Sequence, residues 1–390
     1  MSRSVDRAAI DRVLKDAVDA GAVPHVAAIA ADADGVFYEA GFGPCVAGQG
    51  GEVTASTEFA IMSMTKMVVT VAALQLVEQG SLDLDAPVDT YRPEFAEIQV
   101  LEGFDGDTPR LRAPASRATV RHLITHTSGL AYWFWNEDVA RCEKVAGPRN
   151  GVPGRLDAFK APMVAEPGTR FVYGINTDWL GRVVEAVTGK GLDVVLKEGV
   201  TGPLGMDHTS FVLSDAQATT RAAVHVKDDS GNWYDAGDVV NRTDPDWWAG
   251  GHGLYSTPRD YIRFQRALLR GGELDGTRIL RQSTVDEAFT NQIGELDFPA
   301  ELPTSDPAAT CEFNAGPGFK WGYGLLLNTS DFPGMRRAWS GAWAGLCNTQ
   351  FWVDRTTGVT GAIYSNFLPF VTPEAMKLYN DFELALYASL

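Results

Sequence analysis

Apolar and polar positions along this chain repeat with two different periods, and the period changes where the turns fall. Val5, Ala9, Val13 and Ala17 recur every four residues within a charged stretch, which predicts an amphipathic helix near the N-terminus. Val26 to Ala31 and Val36 to Ala40 flank Asp32-Ala33-Asp34-Gly35, the pattern of a β-hairpin. After Ser63 the stretch Met67 to Gln79 is apolar on nearly every side and ends at Gly80, so it reads as a helix with a normal stop.

From about Asp83 to Thr243 the chain is mixed and loop-rich, with helical stretches near Val120–His126, Thr177–Thr188 and Leu192–Gly199 and few strand signals. Thr257-Pro258 then opens a helix, Arg259 to Leu269, in the favoured order of cap followed by proline, and Gly271-Gly272 closes it. Strand patterns return at Tyr323–Asn328, Arg337–Ser340, Thr349–Val353 and Val359–Tyr364, and Pro373 to Ser389 reads as a closing helix. Strands at both ends with helices between them predict one sheet built from the two termini, interrupted by a helical insertion. The expected division is 1–82 with 244–390 for the α/β part and 83–243 for the inserted, mainly helical part.

Composition narrows the classes. The chain has 390 residues, 45% hydrophobic and 21% charged, the balance of an ordinary water-soluble globule. A formal net charge of −17 argues against nucleic acid or an anionic membrane as partner. Cys45, Cys142, Cys311 and Cys347 lie far apart and suggest neither a zinc site nor a disulfide framework. No apolar leader segment is visible at the N-terminus and no apolar run approaches the ~18 residues that span a bilayer, so the expectation is a cytoplasmic protein. The pattern is silent on oligomeric state.

Ser63-Met64-Thr65-Lys66 carries the candidate chemistry. Positions i and i+3 share one face of a helix, so the Lys66 amine can reach the Ser63 hydroxyl. A serine hydroxyl is a poor nucleophile until a neighbour takes its proton, and a lysine can do so only if its own pKa falls. The apolar surroundings, Met62, Met64, Met67 and Val68, supply that desolvation. Alone, Ser-x-x-Lys is a weak signal, and a solvated lysine on a surface helix is the plain alternative. It is the chain's single Ser-x-x-Lys. A surface helix would also show more charge beside it.

Further motifs follow in order: Arg121-His122-Leu123-Ile124-Thr125-His126-Thr127-Ser128-Gly129-Leu130, then Pro203-Leu204-Gly205-Met206, then Gly253-Leu254-Tyr255-Ser256-Thr257. Together with Ser63 and Lys66 the chain resembles the serine β-lactamase and penicillin-binding superfamily, near class C β-lactamases and nearest their esterase relatives, the family VIII carboxylesterases. The landmarks run over nearly the whole chain. The resemblance implies an α/β domain, an antiparallel sheet flanked by helices, joined to an all-α domain. It implies Tyr173, in Tyr173-Gly174-Ile175-Asn176, as a base acting with Lys66, the ammonium lowering the pKa of the phenol. Asn176 stands three residues after Tyr173, whereas the β-lactamase pattern places it two after, so its role is not carried over. The third motif falls at Trp339-Ser340-Gly341, which implies the backbone N–H groups of Ser63 and Ala342 as the oxyanion hole. Trp339 would stand where class C enzymes carry a lysine that meets the antibiotic's carboxylate, which predicts esters rather than β-lactams as substrates.

The implied activity is a carboxylesterase working through an acyl-enzyme on Ser63, on a small-molecule ester and without cofactor or metal. A β-lactamase, a D-aminopeptidase-type amidase or an acyltransferase would use the same machinery, and a non-enzymatic binding module would retain only the fold. His122 and His126 have the spacing of two zinc ligands, but no glutamate follows His122 and no third ligand is evident. Gly250-Gly251-His252-Gly253 reads as a turn rather than a phosphate cradle. The aromatic runs Tyr132-Trp133-Phe134-Trp135 and Trp247-Trp248 fit either core or the wall of a pocket. Trp135, Trp248, Trp339 and Gly341 are the candidate pocket residues.

Overall fold

The computed structural model describes residues 3–146, 161–237 and 246–390; the expected boundary between 243 and 244 lies outside these residues. Five of its longer helices and one large sheet position the site. The helices are α1 (Arg7–Asp19), α2 (Thr65–Glu78), α3 (Asn176–Thr188), α4 (Pro258–Leu269) and α5 (Pro373–Ala388). The sheet strands are β1 (Val26–Asp32), β2 (Val36–Phe42), β3 (Phe319–Trp321), β4 (Leu326–Asn328), β5 (Gly341–Gly345), β6 (Thr349–Asp354) and β7 (Val359–Tyr364). Between them, residues 83–237 hold α3, shorter helices and two-stranded hairpins.

The sheet runs β3-β4-β5-β6-β7-β1-β2, antiparallel at every join. The C-terminal meander thus meets the N-terminal hairpin along β7 and β1, in register from Ala27 opposite Tyr364 to Asp32 opposite Val359. Side chains alternate across a strand, and here both faces are covered. Ala27, Ile29 and Ala31 enter the large core with α2 and α4, whereas Ala28 and Ala30 pack with Ile10 and Leu14 of α1 and Phe382 of α5. A strand buried on both sides carries no polar alternation, which is why β1 is wholly buried.

The expected strand at Arg337–Ser340 is absent. Those residues form a turn, with Trp339 in the left-handed region at φ 64°, and the strand is Gly341–Gly345, one step later. Gly-Ala-Trp-Ala-Gly has little intrinsic β character and becomes a strand because β6 pairs along all of it. On its other edge β4 reaches only Gly341 and Ala342, so Trp343 to Gly345 have no strand partner there. Among the described residues no helix is long and apolar enough to cross a membrane.

Candidate active site

Ser63 sits in a short 3-10 turn, Met62–Met64, that runs directly into α2. Met62 holds φ at 45°, costly for a residue with a side chain, so the surrounding packing must enforce it. Thr65 to Leu74 are all buried, and Lys66 with them at 1% exposure. Burial disfavours the ammonium and pulls the Lys66 pKa down to about 7, while Asp178 opposes the fall. The amine is therefore available as a base near neutrality.

Lys66 Nζ has three hydrogen-bond neighbours: Ser63 Oγ at 3.0 Å, Tyr132 Oη at 3.1 Å and the Gly251 carbonyl at 2.6 Å. As an ammonium it donates to all three. As an amine it keeps two N–H bonds and gains one lone pair, and the network decides where that lone pair points. The Gly251 carbonyl can only accept. Tyr132 donates its proton to Asp178 Oδ2 at 3.3 Å, so only its oxygen faces Lys66. Asp178 Oδ1 accepts the Gly251 N–H at 2.8 Å, which fixes the peptide whose carbonyl meets Lys66. Ser63 is the remaining neighbour with a proton to give. The lone pair of neutral Lys66 points at the Ser63 hydroxyl.

Tyr173 completes the group. Its phenol hydrogen-bonds Ser63, accepts from Trp343 Nε1 at 3.1 Å, and its ring lies 4.8 Å from Lys66 Nζ. The expected lowering of its pKa is not found: burial pushes it up, outweighing its contacts with Ser63 and Trp343. The ring is buried within the aromatic set of Trp135, Tyr132 and Trp343, where an anion would have little solvation. Burial thus favours the neutral phenol, and Lys66 is the neighbour of Ser63 able to take a proton near neutrality.

A cavity of about 350 Å³ opens at Ser63 and Tyr173, walled by Trp135, Phe134, Trp343 and Phe370. Of the expected pocket residues only Trp135 lines it. Trp248 stacks on Phe211 at 5.2 Å instead. Trp339 is 46% exposed on its strained turn, and Gly341 packs against Leu325 and Phe289. The tryptophan that meets Tyr173 is Trp343, four residues beyond the one expected. Ala342 also fails as an oxyanion donor. It is paired with Leu326 on one side and Trp352 on the other, so its amide is enclosed in the sheet while its side chain lines the cavity. Leu346 lies just past the paired strand Gly341–Gly345 and shares the cavity wall with Ser63. It succeeds Gly345, where a Cβ would lie 2.3 Å from the Ile61 carbonyl.

Asn176 serves the fold. Its Nδ2 reaches His126 Nδ1 and the Leu130 and Val172 carbonyls, and its Oδ1 accepts from Ser128 Oγ. His122 accepts from the Thr119 N–H as part of a helix cap, so both histidines of the zinc-like pair are spent locally. Among the described residues no group of three His, Cys, Asp or Glu side chains could hold a metal ion.

The sequence pattern of the family described as Beta-lactamase covers residues 10–386. This chain belongs to the beta-lactamase family. Within it, the chain is similar to monacolin J acid methylbutanoyltransferase of Aspergillus terreus, 31% identical over 84% of this chain and 81% of that one. It is equally similar to lovastatin esterase of Penicillium rubens, 31% identical over 90% of this chain and 91% of that one. The unliganded structure of simvastatin synthase (LovD) from Aspergillus terreus superposes with a TM-score of 0.85 at 27% identity, over 97% of both chains. These beta-lactamase-family relatives transfer or hydrolyse acyl groups, so the family brings acyl chemistry without choosing between the two.

Proposed function

We propose that the protein is a serine carboxylesterase that forms an acyl-enzyme on Ser63. The observation that carries this reading is the buried Lys66 amine held 3.0 Å from Ser63 Oγ, where burial pulls its pKa down to about 7. As Ser63 attacks the ester carbonyl, its proton passes to Lys66. The N–H groups of Ser63 and Leu346 receive the developing oxyanion, and losing one such donor typically costs about 3 kcal/mol. Tyr173, neutral and hydrogen-bonded to Ser63, is placed to protonate the departing alkoxide, and Lys66 then restores the phenol proton. Water repeats the sequence on the acyl-enzyme and releases the acid.

Trp343 supports esters over β-lactams. It offers one indole N–H, already given to Tyr173, and no positive charge to an anionic antibiotic. A net charge of −17 works in the same direction.

A second reading is favoured by the methylbutanoyltransferase relative: an alcohol in place of water takes the acyl group. The apolar, aromatic wall of the cavity suits such an acceptor. Turnover of a short-chain p-nitrophenyl ester with rising concentrations of a cyclic alcohol separates the two. Hydrolysis as the dominant fate at millimolar alcohol supports the esterase, and an ester product outpacing free acid supports the transferase.

A further inference from the structure

The cavity at Ser63 does not stay on one face of the sheet. Trp343 sides with α2 and the large core, whereas Ala342 sides with α5, and both line the same space. The space passes the unpaired edge of β5 and reaches the turn before that strand and the side of α5, where Arg336, Tyr379 and Asn380 line it. Its walls are otherwise largely apolar, so a guanidinium there is an anomaly.

Arg336 is 8% exposed. Its Nη1 donates to Tyr379 Oη at 2.6 Å and to Glu383 Oε2 at 2.9 Å, and its backbone N–H to Glu383 Oε1 at 2.9 Å. Glu383 is fully buried and cancels the charge. The rings of Phe332 and Tyr379 lie 5.0 and 5.5 Å from the guanidinium carbon. Within the guanidinium these hydrogen bonds use Nη1 only. Nε is buried without an acceptor, and Nη2 has no acceptor among the described residues. Donors left without acceptors are costly, and a ligand oxygen arriving at this end would give Nη2 the partner it lacks.

We propose that the end of the cavity lined by Arg336 is a subsite for an uncharged oxygen, a carbonyl, ether or hydroxyl, carried by the substrate away from its scissile ester. Glu383 already neutralises the guanidinium, so the subsite selects an uncharged hydrogen-bond acceptor and not a carboxylate, whose buried charge would find no cation left to balance it. This inference rests on the acyl-enzyme reading above and names the kind of substrate that reading would take.

The test compares p-nitrophenyl esters of straight alkanoic acids with isosteres in which one methylene is replaced by a ketone or an ether oxygen, moved stepwise along the chain. The wild-type enzyme is expected to turn over at least one oxygenated ester ten- to a hundred-fold faster, in kcat/KM, than its plain isostere. In the double variant Arg336→Met with Glu383→Gln, which removes the charge pair together and keeps an acceptor for the Arg336 backbone N–H, that ratio should fall to about one. Plain esters turned over as fast as every oxygenated one in the wild type overturn the subsite while leaving the acyl-enzyme reading standing. A preference that survives in the double variant also overturns it. Turnover of no ester in the series defeats the acyl-enzyme reading and the subsite with it.

Discussion

Tyr132 gives its hydroxyl proton to Asp178 Oδ2, which leaves only its oxygen to face the Lys66 amine. Through that one hydrogen bond a residue that meets the lysine and Asp178 sets which way the lysine lone pair points. Tyr132→Phe removes the constraint with little change in volume. The expected outcome is a fall in kcat/KM of one to two decades, with KM for a short-chain ester little changed, as fits a loss felt mainly in the transition state. Steady-state kinetics on a p-nitrophenyl ester checks it, and an unaltered kcat would remove Tyr132 from the account.

The pH profile follows from Lys66. Its neutral form is the active one, and its pKa lies near 7, so kcat/KM should rise tenfold per pH unit below about 7 and level off above it. Asp178 is the neighbour that holds this pKa up. Asp178→Asn removes the anion, so the rising limb should move to lower pH even as the plateau falls through loss of the Gly251 and Tyr132 contacts. A limb that moves upward would reverse the sign of the electrostatic argument.

Tyr173→Phe separates donor from base. Because burial keeps the phenol protonated, its loss should lower the plateau by two or more decades and leave the rising limb near pH 7. Disappearance of that limb would return the base to a tyrosinate–lysine pair.

The parts of this site that could be read in the sequence are those whose signal is local. Ser63 and Lys66 are three residues apart on one helix, and the apolar run after them announced the burial that lowers the lysine pKa. Tyr132, Asp178 and Gly251 come from three distant segments, and none carries a motif of its own. Gly251 offered the nearest to a signal, a glycine run with no evident strand. The reason for glycine there is spatial: a Cβ would fall 2.4 Å from Asp178 Oδ2 and 2.8 Å from Tyr132 Oη. The misplacement at Trp339 has a similar origin. Trp339-Ser340-Gly341 and Trp343-Ala344-Gly345 read almost alike, and only pairing with β6 shows which is the strand.

Acid should destabilise the fold through His25. It is fully buried, with Nδ1 2.9 Å from the Pro44 carbonyl and its ring 5.0 Å from that of His225. Burial first, and the neighbouring His225 second, lower its pKa to about 3. A pKa depressed on folding means stability is complete above the unfolded value near 6.5 and is lost as pH falls towards 3. Between pH 6.5 and 5 the loss from this residue is about 2 kcal/mol, at roughly 1.4 kcal/mol per pH unit. Urea midpoints at the two pH values measure it, and a His25→Phe variant that retains the full pH dependence would place the effect elsewhere.

The central claim is a covalent acyl group on Ser63, put there by neutral Lys66. Rapid quenching of the enzyme after mixing with a p-nitrophenyl ester, followed by mass spectrometry of its peptides, tests it most directly. One acyl mass is expected on the peptide holding Ser63 in the wild type, appearing faster at pH 8 than at pH 6 and absent in Ser63→Ala. An acyl group on any other residue, or ester turnover persisting in Ser63→Ala, would contradict it.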